Sequence, residues 1–219
     1  MTLFFLPWCL SNQQETIEDN NIVSLTELWI TAYEQGNLLQ AQEYFEQAII
    51  QDPSNLQALL NMWVIVAELW ELTRAIRYFD AALNISPNDP LILYNKATVL
   101  SDLSYHEKIA WTAGFILYWR QALDLFDRVI SIDPSFTDAY IFQGITHYDI
   151  GDYETALPYL YTWLEQEPES INALFYLWKT YKELWNNNKA LEYLQQLLRH
   201  DPNHLQTKQK INQIQGLYY

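Results

Sequence analysis

"YDIGDYETALPYLYTWLEQEP", residues 148–168, holds a glycine at 151, an alanine at 156 and a proline at 168, in the order turn, helix, break. The same order recurs along the chain. "QDPSN", "ISPND", "IDPSF", "QEPES" and "HDPNH" place prolines at 53, 87, 134, 168 and 202, with gaps of 34, 47, 34 and 34 residues. The hairpin is therefore one of five copies, and one copy carries 13 extra residues. Counting back from each proline gives Ala41, Ala75, Ala122, Ala156 and Ala190, and four places on come Phe45, Phe79, Phe126, Leu160 and Leu194. Three beyond those stand Ala48, Ala82, Val129, Trp163 and Leu197. Spacings of three, four and seven put these residues on one face of a helix that ends at its proline. The turn before that helix reads "EQGNL", "DIGDY" or the paired "ELW" of residues 68–70 and 183–185. Each unit is helix, turn, helix, then a proline-marked break.

This pattern resembles the tetratricopeptide repeat family, whose 34-residue unit has small residues where its two helices approach and a proline closing the second. The resemblance covers about residues 22–204, and the fourth repeat fits it best, with Gly144, Gly151, Tyr153, Ala156 and Pro168 on the family's marked places. It implies an all-α, right-handed superhelical solenoid of five helix-turn-helix repeats. Three repeats depart from it, with Trp29, Trp63 and Trp178 where the family favours glycine or alanine, so wider helix spacing or neighbouring side chains must absorb those rings. Pro158, early in a second helix, predicts a mild bend.

Flanking and inserted segments complete the plan. Residues 1–21 are apolar, then acidic, and either cover the first repeat, hang loose or touch a membrane surface. Residues 205–219 predict a capping helix, with Leu205, Ile211, Ile214 and Tyr218 on its apolar side, because a stacked repeat array needs its last apolar face covered. The insertion falls within about residues 104–116 of repeat three, in "SYHEKIAWTAGFILYWRQ". It must lengthen one or both helices, with Gly114 a turn or a weak spot, and either folds over its neighbours or stands out as an apolar knob for a second partner or a membrane.

The 219 residues carry a net charge of −15, and no lysine or arginine precedes Arg74. Such a surface repels phosphate backbones, which argues against nucleic-acid binding. "LFFLPWCL", residues 3–10, lacks the basic n-region and cleavage site of a secretory signal, so a cytoplasmic protein is expected, with membrane association the alternative. The single cysteine, Cys9, cannot form an internal disulfide.

Catalytic signals are missing. His200 and His204 are four apart, but Pro202 between them breaks the helix that would align them on a metal. His147, where the family has a packing tyrosine, reads as a core or groove residue, and no phosphate loop or nucleophile motif appears. No enzyme activity, metal or cofactor is expected.

In the family, first helices line a concave groove that holds a partner. The fifth place of the repeats gives Thr26, Leu60, Tyr94, Ile141 and Phe175, and the ninth gives Ile30, Val64, Thr98, Ile145 and Lys179. These are mostly apolar, so the basic carboxylate clamp of the family's co-chaperone branch is not expected. The thirteenth place is acidic throughout: Glu34, Glu68, Asp102, Asp149 and Glu183. Those carboxylates oppose the dipole of the helix they end, at about 0.3–1 kcal/mol each, and either face water or form the edge of a binding groove. The leading expectation is a non-catalytic interaction scaffold or assembly factor binding a basic, amphipathic protein segment by Leu60, Tyr94, Ile141, Phe175 and the acidic row. A membrane-attached biogenesis factor using the N-terminal decapeptide and the insertion comes second. A non-catalytic or regulatory part of an enzyme comes third.

Overall fold

The computed structural model describes residue 28 and residues 31–33, 35–69, 71–109 and 114–216, and every regular element among them is an α-helix. They run as α1 (Leu38–Gln51), α2 (Leu56–Glu68), α3 (Leu72–Ile85), α4 (Pro90–Ile109), α5 (Gly114–Ile132), α6 (Thr137–Ile150), α7 (Tyr153–Gln166), α8 (Ile171–Glu183), α9 (Asn187–His200) and α10 (Leu205–Gln215). Two compact units divide the chain within α4, the first ending at Val99 and the second beginning at Leu100.

The repeat period appears directly in the caps. Second helices end at Gln51, Ile85, Ile132, Gln166 and His200, each two residues before its proline. Between helix and proline, Asp52 and Asp133 fold back to accept from the backbone N–H of Ser54 and Ser135, both at 2.9 Å, and Asp201 does the same for Asn203 at 3.0 Å. Two residues after the proline comes the next N-cap. Asn55 accepts from the Ala58 N–H at 2.9 Å, Ser170 from Ala173 at 3.5 Å and His204 from Thr207 at 3.3 Å, each satisfying one of the amides a helix start leaves open.

The turn between the two helices of a repeat is closed by the main chain. The N–H of Asn37, Glu71, Asp152 and Asn186 each donates to the carbonyl five residues back, at 2.8, 2.8, 2.9 and 2.9 Å. This is the six-to-one bond of a Schellman ending, which needs a left-handed residue just before it. Gly36 and Gly151 supply that residue at φ 72° and 89°, but before Asn186 stands Trp185, at φ 57°.

The first unit packs α2 against α1 and α3. Ala41, Phe45, Ala75, Phe79 and Ala82 on α1 and α3 are all buried, as their spacing predicts, and a fully buried phenylalanine contributes about 1.5–3 kcal/mol. Trp63 is buried too, its ring 5.0 Å from that of Phe79, so the indole is absorbed by a neighbouring ring. The Arg74 guanidinium reaches Glu71, the N-cap residue of its own helix, and Glu46 on α1 at 3.2 Å. Trp29 lies outside the described residues.

In the second unit α5 to α10 pack in sequence, each helix on the next. Ala122, Ala156 and Ala190 are completely buried, and Phe126, Leu160 and Leu194 lie beside them as predicted. Gly144 on α6 allows α7 to come close: a Cβ there would stand 3.0 Å from Leu160 and 3.2 Å from Tyr159. Pro158 is accommodated inside an uninterrupted α7. The insertion lengthens both α4, to 20 residues, and α5, to 19, and Gly114 opens α5. Residues 110–113 lie outside the described residues, as does the segment 1–21. Ile116 and Leu117 are more than half exposed, which favours the standing-out alternative for that part of the insertion.

The capping helix forms as α10 and packs on α9, with Ile211 and Ile214 against the core of the unit. One expected member of its apolar side is corrected: Leu205 is 67% exposed, because it is the first residue of α10 and projects before the helix meets α9. Tyr218 lies outside the described residues.

Candidate functional site

The residues singled out by register fall into two groups. In the first unit, Leu60 on α2 and Tyr94 on α4 are half-buried. Glu68 is the last residue of α2, its side chain outside the described residues, and Glu34 is likewise outside them. In the second unit, Asp102 on α4, Ile141 and Asp149 on α6, and Phe175 and Glu183 on α8 are all described. Phe175 is the most open of the apolar set, 42% exposed, whereas Ile141 packs against the core of its unit.

At the ninth place Val64 on α2 is half-buried, Ile30 lies outside the described residues, and two further side chains lie in the interior. Ile145 belongs to the core, where residues of α7 and α8 surround it, and Thr98 is buried with its hydroxyl donating to the Asn95 carbonyl at 2.8 Å. Lys179, the ninth-place residue of repeat five, is half-buried. Its ammonium lies 4.5 Å from the ring centre of Tyr148, 5.3 Å from Phe175 and 5.5 Å from Tyr176. The three rings are held edge to face, Tyr148 on Tyr176 at 5.6 Å and Phe175 on Tyr176 at 5.9 Å, an arrangement that turns ring faces toward a common point.

Electrostatics sharpen this cluster. Burial pushes the Lys179 ammonium below its ordinary value, while Asp149 and Glu183 act against that shift. Burial likewise pushes the Tyr176 hydroxyl up to about 12, with Asp149 adding to it, and raises Tyr148 still further, helped by Glu183. All these phenols are neutral at physiological pH. The cluster is therefore one cation over three neutral rings, with two carboxylates of the acidic row as its charged surroundings. Glu183 also lies 3.4 Å from the exposed Lys182. Asp102 is different: it is partly covered, and burial holds its carboxyl above the usual range, with His106 pulling it back.

Register reasoning found Phe175, Lys179, Asp149 and Glu183 but not Tyr148 and Tyr176. The twelfth place reads Tyr33, Ala67, Ser101, Tyr148 and Lys182, so no type recurs there to draw attention. A local signal existed only for Tyr176, which shares one helical turn with Phe175 and Lys179, whereas Tyr148 comes from another helix.

His147 is buried in the core of repeat four, stacked on Tyr159 at 5.6 Å with an 8° tilt. Its Nδ1 is 3.3 Å from Asp152 without hydrogen-bond geometry, and burial, opposed by Asp152, holds the imidazole below its ordinary pKa. His204 caps α10 through Thr207, and His200 ends α9. Among the described residues no three metal-ligating side chains cluster, and no helix is long and apolar enough to cross a membrane.

Two profiles described as tetratricopeptide repeat match residues 28–90 and 147–211, together more than half of the chain. No curated protein matches it. Among solved structures it is similar to a tetratricopeptide repeat protein from Parabacteroides merdae, with TM-score 0.76 and 18% identity over 91% of this chain and 75% of that one. It is also similar to YrrB, described as a tetratricopeptide repeat protein with an unusual peptide-binding site, with TM-score 0.69 and 20% identity over 87% and 93%. PilW, described as a widely conserved type IV pilus biogenesis factor, gives TM-score 0.65 and 21% identity over 91% and 88%. At these identities the likeness is one of fold. With the five-fold register, the capped helical hairpins and two matching profiles in agreement, this chain is a member of the tetratricopeptide repeat family.

Proposed function

We propose that this protein is a non-catalytic interaction scaffold whose first-helix faces hold a basic, amphipathic segment of a partner protein. Tetratricopeptide repeats are protein-binding scaffolds, and the observation that carries the finer reading is the surface shared by α6 and α8. There an open aromatic ring, Phe175, adjoins Tyr148 and Tyr176 within the field of two carboxylates, Asp149 and Glu183. Rings of this kind anchor a partner side chain by burial, and carboxylates at the edge attract its charge from a distance. Leu60 and Tyr94, with Glu68 and Glu34, would serve the same purpose in the first unit. The excess of acid over base, −15 in all, favours a cationic partner over an anionic one.

A 14-residue amphipathic helix of leucine and lysine serves as probe. It should bind the full chain, and Phe175→Ala should weaken binding by about 1–3 kcal/mol, as aromatic anchors do. Asp149→Asn with Glu183→Gln should slow association and flatten its salt dependence. Equal affinity for a glutamate-substituted version of the peptide would sink the reading.

A second reading rests on Ile116 and Leu117, exposed on the inserted part of α5. They would form a contact for a membrane surface, as a biogenesis factor needs. Co-sedimentation with phosphatidylcholine vesicles that is lost in Ile116→Ser/Leu117→Ser supports it, and no sedimentation of the wild type rejects it.

A further inference from the structure

Lys179 is oddly placed for a groove lysine. Four-carbon stems normally carry their charge out to water, yet this ammonium turns into the faces of three rings. Two carboxylates, one from each of the helices α6 and α8, act on the same point. Three rings and two carboxylates form the kind of cage that binds an ammonium or guanidinium group from a ligand. In this protein the cage is filled from within.

We propose that Lys179 is an internal stand-in for a basic side chain of the partner: the cage of Tyr148, Phe175 and Tyr176 with Asp149 and Glu183 is a cation seat, and the partner's lysine or arginine enters it by displacing Lys179. This rests on the reading of the chain as a binder of basic segments and gives it a mechanism. The displaced ammonium gains hydration as it leaves, which offsets part of the cost of losing the rings, and the incoming cation meets the same rings and the same carboxylates. The exchange makes binding selective. A segment that only lays apolar residues on Phe175 leaves Lys179 seated, whereas one that also carries a correctly spaced cation replaces it. The self-filled seat also lowers affinity for any isolated cation, since such a ligand must compete with a tethered one at high local concentration.

Three measurements test it. Tetramethylammonium chloride, titrated into Lys179→Ala and followed by the ring-proton shifts of the tyrosines, should bind about tenfold more tightly than to the wild type, roughly the effect of one partly desolvated cation–ring contact. Lys179→Met keeps the stem over the rings without the charge, and should recover only a small part of that gain. Equal binding by wild type and alanine variant, or an equal gain in the methionine variant, would overturn the seat. In the unmodified chain, the Lys179 Cε protons should resonate upfield because they lie over ring faces, and should return toward their ordinary position as the leucine–lysine peptide saturates the protein. Peptide saturation with those protons still upfield would overturn the exchange. Tetramethylammonium binding to the alanine variant, with no peptide binding to either form, would instead reject the proposed partner class and leave the seat standing.

Discussion

Repeats four and five lie side by side in the second unit, with the same register, and they solve two structural problems in opposite ways. Where the paired helices approach, α6 has Gly144, at which a Cβ would stand 3.0 Å from Leu160 of α7, and α8 has the buried indole of Trp178. In the turn that follows, the left-handed residue is Gly151 in one and Trp185 in the other. Even the inner ring stack is conserved in shape and changed in chemistry: His147 on Tyr159 in repeat four matches Tyr181 on Tyr193 in repeat five, at 5.6 and 5.8 Å and nearly parallel. What stays constant is the set of small and apolar second-helix residues and the six-to-one main-chain bond. The repeat is thus defined by its second helix and its turn closure, and the first helix is free to vary.

The comparison can be broken most severely at the helix approach. Trp178→Gly should destabilise the chain by about 4 kcal/mol, through lost burial and a cavity in the core of the unit, measured by urea unfolding. Gly144→Val should cost about 2 kcal/mol, because its side chain would press on Leu160 and Tyr159. If Gly144→Val proved neutral, the tight approach of α6 and α7 would not be a packing requirement. The turn should respond less. Gly151→Trp should cost about 1–2 kcal/mol from the left-handed backbone, and Trp185→Gly should gain about 0.5 kcal/mol, the strain relieved being partly offset by glycine's freedom when unfolded.

The smallest expected effect concerns acid. His147 has its pKa depressed in the folded chain, so it is neutral there and binds a proton more readily when unfolded. Its contribution to stability is therefore fully present above the ordinary histidine value of about 6.5 and lost as pH falls from there through the folded pKa. His147→Tyr, which imports the residue of repeat five, should remove that part of the pH dependence of the melting temperature. An unchanged pH profile would mean the imidazole titrates alike in both states.

The second-helix pattern was legible because it recurs five times at fixed spacing, so any one copy is checked by the others. Ala41, Ala75, Ala122, Ala156 and Ala190 are all buried as read. Side chains that occur once carry no such check. Lys179 looked like a break in an apolar column, and its place among three rings depends on Tyr148 and Tyr176, which lie in different helices and different repeats. Ile145 and Thr98 were assigned to a surface by register, but a register fixes a direction around one helix and not what the next helix covers. The acidic thirteenth place recurs in sequence yet not in environment, since burial raises the Asp102 carboxyl while Glu183 lies 3.4 Å from Lys182. Leu205 failed for a similar reason, because a helical stripe says nothing of where along the helix the neighbour begins.

Trp185, 89% exposed at the end of α8, has an optical consequence. Trp63, Trp163 and Trp178 are buried, and an indole in the core emits at shorter wavelength and is shielded from collisional quenchers. Trp185 contributes long-wavelength emission that acrylamide reaches more readily than that of these three, and the difference between the wild type and Trp185→Phe isolates its signal. It lies two residues from Glu183, a carboxylate of the cation cage, and thus marks the edge of that surface. A partner segment that extends from the cage toward the turn should shift the difference spectrum to the blue and protect it from acrylamide, while one confined to the rings of Tyr148 and Phe175 should leave it unchanged.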